Sequence, residues 1–98
     1  MSKVRAKIAR TYKITGRVQG VGFRYFAEGC ANQLGVAGYV KNCWDGSVEV
    51  YAVGDEVTIE RFKRQLAEGP PSARVAAIEE SEETVNPRYS GFVIEGGW

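Results

Sequence analysis

The chain has 98 residues, 13 Lys and Arg against 12 Asp and Glu, and 44% hydrophobic residues. A balanced chain of this size describes a single folded domain, residues 1–98, and excludes disordered, fibrous and disulfide-framework classes. Histidine is absent, which excludes Ser-His-Asp triads, Cys-His pairs, histidine general bases and histidine metal sites.

The two cysteines, Cys30 and Cys43, are too few for a structural zinc site. They read as free thiols of a reducing compartment, which makes a cytoplasmic protein the expectation. The longest uncharged run, Gly29 to Val40, falls short of the ~17–25 residues of a membrane helix. The charged N-terminus lacks the apolar segment of a signal peptide. Lys3, Arg5, Lys7, Arg10, Lys13, Arg17 and Arg24 all precede the first acid, Glu28, whereas Glu79, Glu80, Glu82 and Glu83 cluster near the other end. Most of these charges read as neutralising neighbours or solvated faces. The alternative is a positive field that attracts a small anion. A net charge of +1 is low for a nucleic-acid binder.

In chain order, Lys7 to Gly16 reads as a strand, with Ile8, Tyr12 and Ile14 of one parity. A Gly-rich turn follows, from Gly16 to Gly22. Phe23, Phe26, Ala27, Cys30, Ala31 and Leu34 then fall on one face of a helix, and Gly35 stands where a left-handed cap belongs. Val36 to Trp44 reads as a second strand, Asp45-Gly46 as a hairpin turn, and Ser47 to Val53 as a third strand. Val48, Val50 and Ala52 share one side of that strand, with Glu49 and Tyr51 on the other. Asp55 can N-cap a second helix with the apolar stripe Ile59, Phe62 and Leu66, which Gly69-Pro70-Pro71 ends. A fourth strand runs from Val75 to about Ser81, and a short fifth from Phe92 to Glu95. The order is β-α-β-β-α-β with a short extra strand, the ferredoxin-like α+β sandwich. The expectation is an antiparallel sheet with both helices on one face and the other face partly solvated at Glu49 and Tyr51.

Chemistry concentrates at Gly20-Val21-Gly22-Phe23-Arg24. Free N–H groups at a helix start, next to glycines that permit unusual φ, make an anion cradle. Arg24 opposes the helix dipole there, and a bound dianion would compensate. The plainer reading is a Gly-rich turn with a surface arginine. No Gly-Lys-Ser/Thr follows and the third glycine of a dinucleotide fingerprint is missing. Asn42 is out of place in a strand and reads either as a turn cap or as an amide that orients a water or substrate oxygen. Cys43 has the opposite parity to Asn42 and falls outside its site. Trp44 is open to two readings, packing or flanking a site mouth.

Ile14-Thr15-Gly16-Arg17-Val18-Gln19-Gly20-Val21-Gly22-Phe23-Arg24 resembles the first signature of the acylphosphatase family. Gly38-Tyr39-Val40-Lys41-Asn42, followed by Gly46, Val48 and Gly54, resembles the second. The resemblance spans nearly the whole chain. It implies an enzyme without metal or cofactor that hydrolyses small acyl phosphates to a carboxylate and inorganic phosphate, with that phosphate as a product inhibitor. It further implies that Arg24 and the loop at Gln19, Gly20, Val21, Gly22 and Phe23 bind the phosphoryl group, and that Asn42 positions the attacking water. Only the resemblance brings Asn42 to Arg24, 18 positions away in sequence. A monomer is expected, with neither membrane nor nucleic acid as a partner. Two rivals remain. An RNA-binding module of the same element order would need aromatic residues that Ser47–Val53 does not supply. The other is an acylphosphatase-like domain that handles carbamoyl phosphate for a larger maturation enzyme, against which a free-standing enzyme is the simpler reading.

Overall fold

A computed structural model describes residues 6–96; Lys3, Arg5, Gly97 and Trp98 lie outside them. The elements are β1 (Ile8–Arg17), α1 (Phe23–Leu34), β2 (Ala37–Asn42), β3 (Val48–Gly54), α2 (Glu56–Glu68), β4 (Arg74–Glu83) and β5 (Phe92–Glu95). The strands form one five-stranded sheet in the order β4-β1-β3-β2-β5.

Alternation along the strands decides which face each residue meets. Tyr12 and Ile14 of β1, Val40 of β2, and Val48, Val50 and Ala52 of β3 point to one face. There they pack against Phe23, Ala27 and Ala31 of α1 and Ile59, Phe62 and Leu66 of α2. Both helices therefore cover one face of the sheet, as the periodicity implies. Phe62 meets Phe92 of β5 edge-on at 5.7 Å, so the last strand is fastened into the same core. Each large apolar side chain removed from water there contributes roughly 1.5–3 kcal/mol.

The helix ends follow the capping rules. Gly35 closes α1 in the left-handed conformation at φ 73°. Asp55 caps α2, its carboxylate accepting a 2.8 Å hydrogen bond from the Thr58 N–H.

Two expectations need correction. The sheet is mixed. β1 pairs antiparallel with β3 and β4, and β2 with β3, but β5 runs parallel to β2. The cause lies in the connection. β4 ends beside the start of β1, and the chain crosses to the far edge and re-enters beside Gly38, at the start of β2. Re-entry at the end just left makes the new edge strand run with β2. Residues 84–91 reach at most ~26 Å when extended, against ~19 Å for four strand spacings, so the crossing has room for only a tight turn, which Tyr89 N–H and the Asn86 carbonyl close at 3.3 Å.

The second correction follows from this crossing. Tyr51, expected at a solvated face, is only 7% exposed. Its hydroxyl donates to the Thr84 carbonyl at 2.7 Å and accepts from the Asn86 N–H at 2.8 Å. Its ring lies 5.6 Å from those of Tyr39 and Tyr89. The crossing segment thus roofs part of the outer face over a small aromatic core. Glu49 stays half-buried beside it, accepting from the Tyr39 hydroxyl and 3.7 Å from Lys41 Nζ.

β2 stops at Asn42, two residues sooner than its composition suggests. Cys43 to Ser47 close the turn, with Cys43 N–H donating to the Ser47 carbonyl at 2.9 Å and Gly46 N–H to the Cys43 carbonyl at 3.1 Å. Asp45 Oδ1 accepts from the Ser47 N–H and hydroxyl, at 2.9 and 2.6 Å.

Candidate active site

The loop between β1 and α1 reaches the helix through two left-handed glycines, Gly20 at φ 74° and Gly22 at φ 78°. A Cβ at either would meet open space, so backbone geometry rather than crowding calls for glycine there. Such alternation turns successive N–H groups into one concavity.

The two helix starts are built differently. α2 begins with an aspartate cap and Glu56 in its first turn. α1 begins at Gly22 with no side-chain cap and no acid in its first turn. Its leading N–H groups, which no preceding carbonyl can satisfy, carry the positive end of the helix dipole uncompensated. Arg24 adds a full positive charge in that turn. Among the described residues, no ion pair or side-chain hydrogen bond engages its guanidinium. Such a start can hold an anion.

Asn42 arrives from the other side. It pairs with Val48, two positions after Val40 pairs with Val50. By strand parity its side chain therefore faces the helix layer, at the sheet end where α1 begins. It is 8% exposed. A cavity of about 80 Å³ is lined by Val18, Gly20, Gly22, Phe23, Arg24, Tyr25 and Asn42. Residues separated by 18 positions thus share one small hollow.

The remaining loop residues hold the loop in place. Gln19 does not line the cavity. Its Nε2 donates to the carbonyls of Cys43 and Ser47, each at 2.8 Å, tying the loop to the turn that follows Asn42. Val21 is likewise outside the cavity lining, and its carbonyl accepts from the Ser72 hydroxyl at 2.8 Å. Cys43, set apart from Asn42 by parity, meets the site through its backbone. Ser72 and Tyr25 escaped the sequence reading. Ser72 acts across 51 positions from an ordinary Pro-Ser turn, and Tyr25 carries no motif signal. Trp44 is 92% exposed at the β2–β3 turn.

Among the described residues, no cluster of three or more His, Cys, Asp or Glu could hold a metal ion, and no helix is long and apolar enough to cross a membrane.

An α/β sandwich with an uncapped glycine-rich helix start, an arginine and a facing asparagine is an arrangement able to hold an anion. Residues 10–94 match the acylphosphatase family. The chain is 44% identical to an acylphosphatase of Archaeoglobus fulgidus, over 89% of this chain and 97% of the relative. The crystal structure of acylphosphatase from Bacillus subtilis superposes with a TM-score of 0.87 at 36% identity, covering 91% of this chain and 99% of that one. Full-length HypF in a phosphate- and nucleotide-bound form superposes with a TM-score of 0.85 at 33% identity, covering 98% of this chain but 13% of HypF. The chain belongs to the acylphosphatase family and is an acylphosphatase enzyme.

Proposed function

We propose that Arg24 and the N–H groups at the start of α1 bind the phosphoryl group of an acyl phosphate, and that Asn42 orients the water that attacks phosphorus. The shared cavity of Arg24 and Asn42 is the observation that carries this reading. The guanidinium fork grips two phosphoryl oxygens, and the cradle amides meet the third. Asn42 offers an acceptor for a water proton and a donor for a phosphoryl oxygen. Gly20, Gly22 and Phe23 contribute through the backbone. Gln19 and Val21 contribute by fixing the loop.

The chemistry suits a chain without histidine. The water oxygen forms a bond to phosphorus while the phosphorus–acyl oxygen bond breaks. The leaving carboxylate has a conjugate acid of pKa ~4, so it departs without a general acid. The water's proton passes to a phosphoryl oxygen, giving inorganic phosphate. What the protein supplies is position and electrostatic stabilisation. A monoester expels an alkoxide and gains little from this site, so a sugar phosphate is turned over poorly.

Inorganic phosphate fits the same cradle and inhibits competitively. The enzyme works as a monomer on small acyl phosphates, without a nucleic-acid partner. The unpaired thiols Cys30 and Cys43 suit the cytoplasm.

Hydrolysis of benzoyl phosphate with chelator present, for wild type and Asn42→Ala, tests the reading. Fast chelator-insensitive turnover that collapses in the folded variant supports it. Turnover unchanged in the variant removes Asn42 from its role. The similarity to full-length HypF, a larger phosphate-bound chain of which this one matches 13%, favours a second reading, in which the cradle is the phosphate-handling domain of a larger enzyme, the carbamoyl phosphate rival above. A kcat/KM for carbamoyl phosphate above that for benzoyl phosphate selects it.

A further inference from the structure

The cavity that joins Arg24 and Asn42 encloses about 80 Å³. At roughly 30 Å³ per water, this is room for two or three waters, and a phosphoryl group fills it. The acyl portion of a substrate therefore projects past the rim, and the surface it meets there decides which acyl groups are preferred.

Four large apolar side chains are exposed among the described residues: Tyr25, Trp44, Val57 and Val93. Of these, Tyr25 alone lines the cavity. Helix geometry places it there. At ~100° per residue, Tyr25 lies nearly opposite Phe23 around the axis of α1. Phe23 is fully buried in the core, so Tyr25 is turned outward at the helix start, beside Arg24. Tyr25 is 73% exposed. Among the described residues it makes no ring contact and its hydroxyl no hydrogen bond. Nothing in the packing requires an aromatic ring at this position.

We infer that Tyr25 is the acyl-side contact of the site and that preferred substrates carry an aromatic or bulky apolar acyl group packed on its ring. The inference rests on the proposed reaction, whose phosphoryl end it leaves unchanged. A ring-on-ring contact of this kind changes affinity about two- to tenfold. The acyl group meets the ring before and during phosphorus–oxygen cleavage alike. Such uniform binding lowers KM and leaves kcat nearly constant.

The test compares benzoyl phosphate with acetyl phosphate as substrates of the wild-type chain, Tyr25→Ser and Tyr25→Phe, with inorganic phosphate as inhibitor. In Tyr25→Ser, KM for benzoyl phosphate rises two- to tenfold relative to KM for acetyl phosphate. Tyr25→Phe keeps the wild-type ratio. The inference is overturned by an unchanged ratio in Tyr25→Ser or by a loss carried in kcat. It is equally overturned if the phosphate inhibition constant rises by the same factor as KM, because the cradle itself has then moved. A wild-type chain that hydrolyses neither substrate defeats the proposed reaction, and this inference with it. Turnover of both substrates with no change of ratio defeats the inference alone.

Discussion

At the scale of single residues, the site separates groups that meet the substrate from groups that hold those groups still. Arg24 and Asn42 face one cavity, so each is expected to act on the transition state directly. Arg24→Ala and Asn42→Ala should each lower turnover by at least ~100-fold, the scale of losing one preorganised donor. Steady-state kinetics on folded variants checks this, and near-wild-type rates would sink the assignment. Gln19 acts differently. Both partners of its amide nitrogen are carbonyl oxygens, 2.8 Å away, so only a donor fits. The carbonyls of Cys43 and Ser47 keep backbone partners of their own, which limits the damage when Gln19 is lost. Gln19→Ala should cost about 1–3 kcal/mol of stability, the net worth of two hydrogen bonds. It should weaken phosphate inhibition and kcat/KM for every acyl phosphate together, because the whole loop loosens. Gln19→Glu should be worse in both respects, since it sets a carboxylate against two carbonyl oxygens. Wild-type stability in both variants would show that the donor is unimportant.

At the scale of elements, the contrast between the two helix starts is what the proposed anion site rests on. α2 is closed by Asp55 and Glu56, whereas α1 is left uncapped behind Gly22. Asp55→Ala should cost about 1 kcal/mol, the usual worth of a cap, or about 4–8 °C in Tm for a domain of this size. Turnover should be unaffected, because the second helix start stands outside the cavity. At α1 the informative pair is Gly22→Asn and Gly22→Asp. Both strain a backbone held at φ 78°, and both residues tolerate that region better than most. Only aspartate adds a negative charge where the phosphoryl group binds. Like charges ~4 Å apart repel by ~1 kcal/mol even in water. KM should therefore rise at least ~5-fold more in Gly22→Asp than in Gly22→Asn. Equal KM values would place the anion elsewhere. Ser72 belongs to this scale too. It fastens the cradle loop to the connection between α2 and β4, so the second βαβ half helps to hold the site of the first.

At the scale of the whole molecule, local signals carried far. Periodicity and turn chemistry gave the element order, and the glycines before Arg24 marked the cradle, because both are written in neighbouring residues. What stayed hidden depends on distance. The β5 direction follows from where residues 84–91 cross, the burial of Tyr51 from what they cover, and the Gln19 contacts from a turn 24 positions on. The charge distribution also acts at this scale, through pH. With no histidine, little in the fold titrates between ~5 and ~8. The Ser47 hydroxyl and N–H, and then Lys13, hold the Asp45 carboxyl well below the usual carboxylate range. The Lys63 ammonium, ahead of Arg10, does the same for Glu80. For such groups the unfolded chain binds a proton before the folded one does. Their stabilisation is complete above ~4.5 and is lost as pH falls through the folded values. Burial pushes the Tyr12 and Tyr39 phenols and the Cys30 thiol upward. Their contribution is complete below the unfolded values of ~8.5–10 and is lost as pH rises beyond them. Tm should therefore stay level from about pH 5 to 8 and fall on both sides. The double variant Asp45→Asn, Glu80→Gln should flatten the acid limb and, because Glu80 also raises Tyr12 and Lys63 and Asp45 raises Lys13, soften the alkaline limb as well. Asparagine still offers Ser47 an acceptor, so the turn survives and the change reports the lost charges. Thermal melts in phosphate-free buffer across that range decide the matter. A wild-type transition centred near 6.5 would require a titrating group other than these.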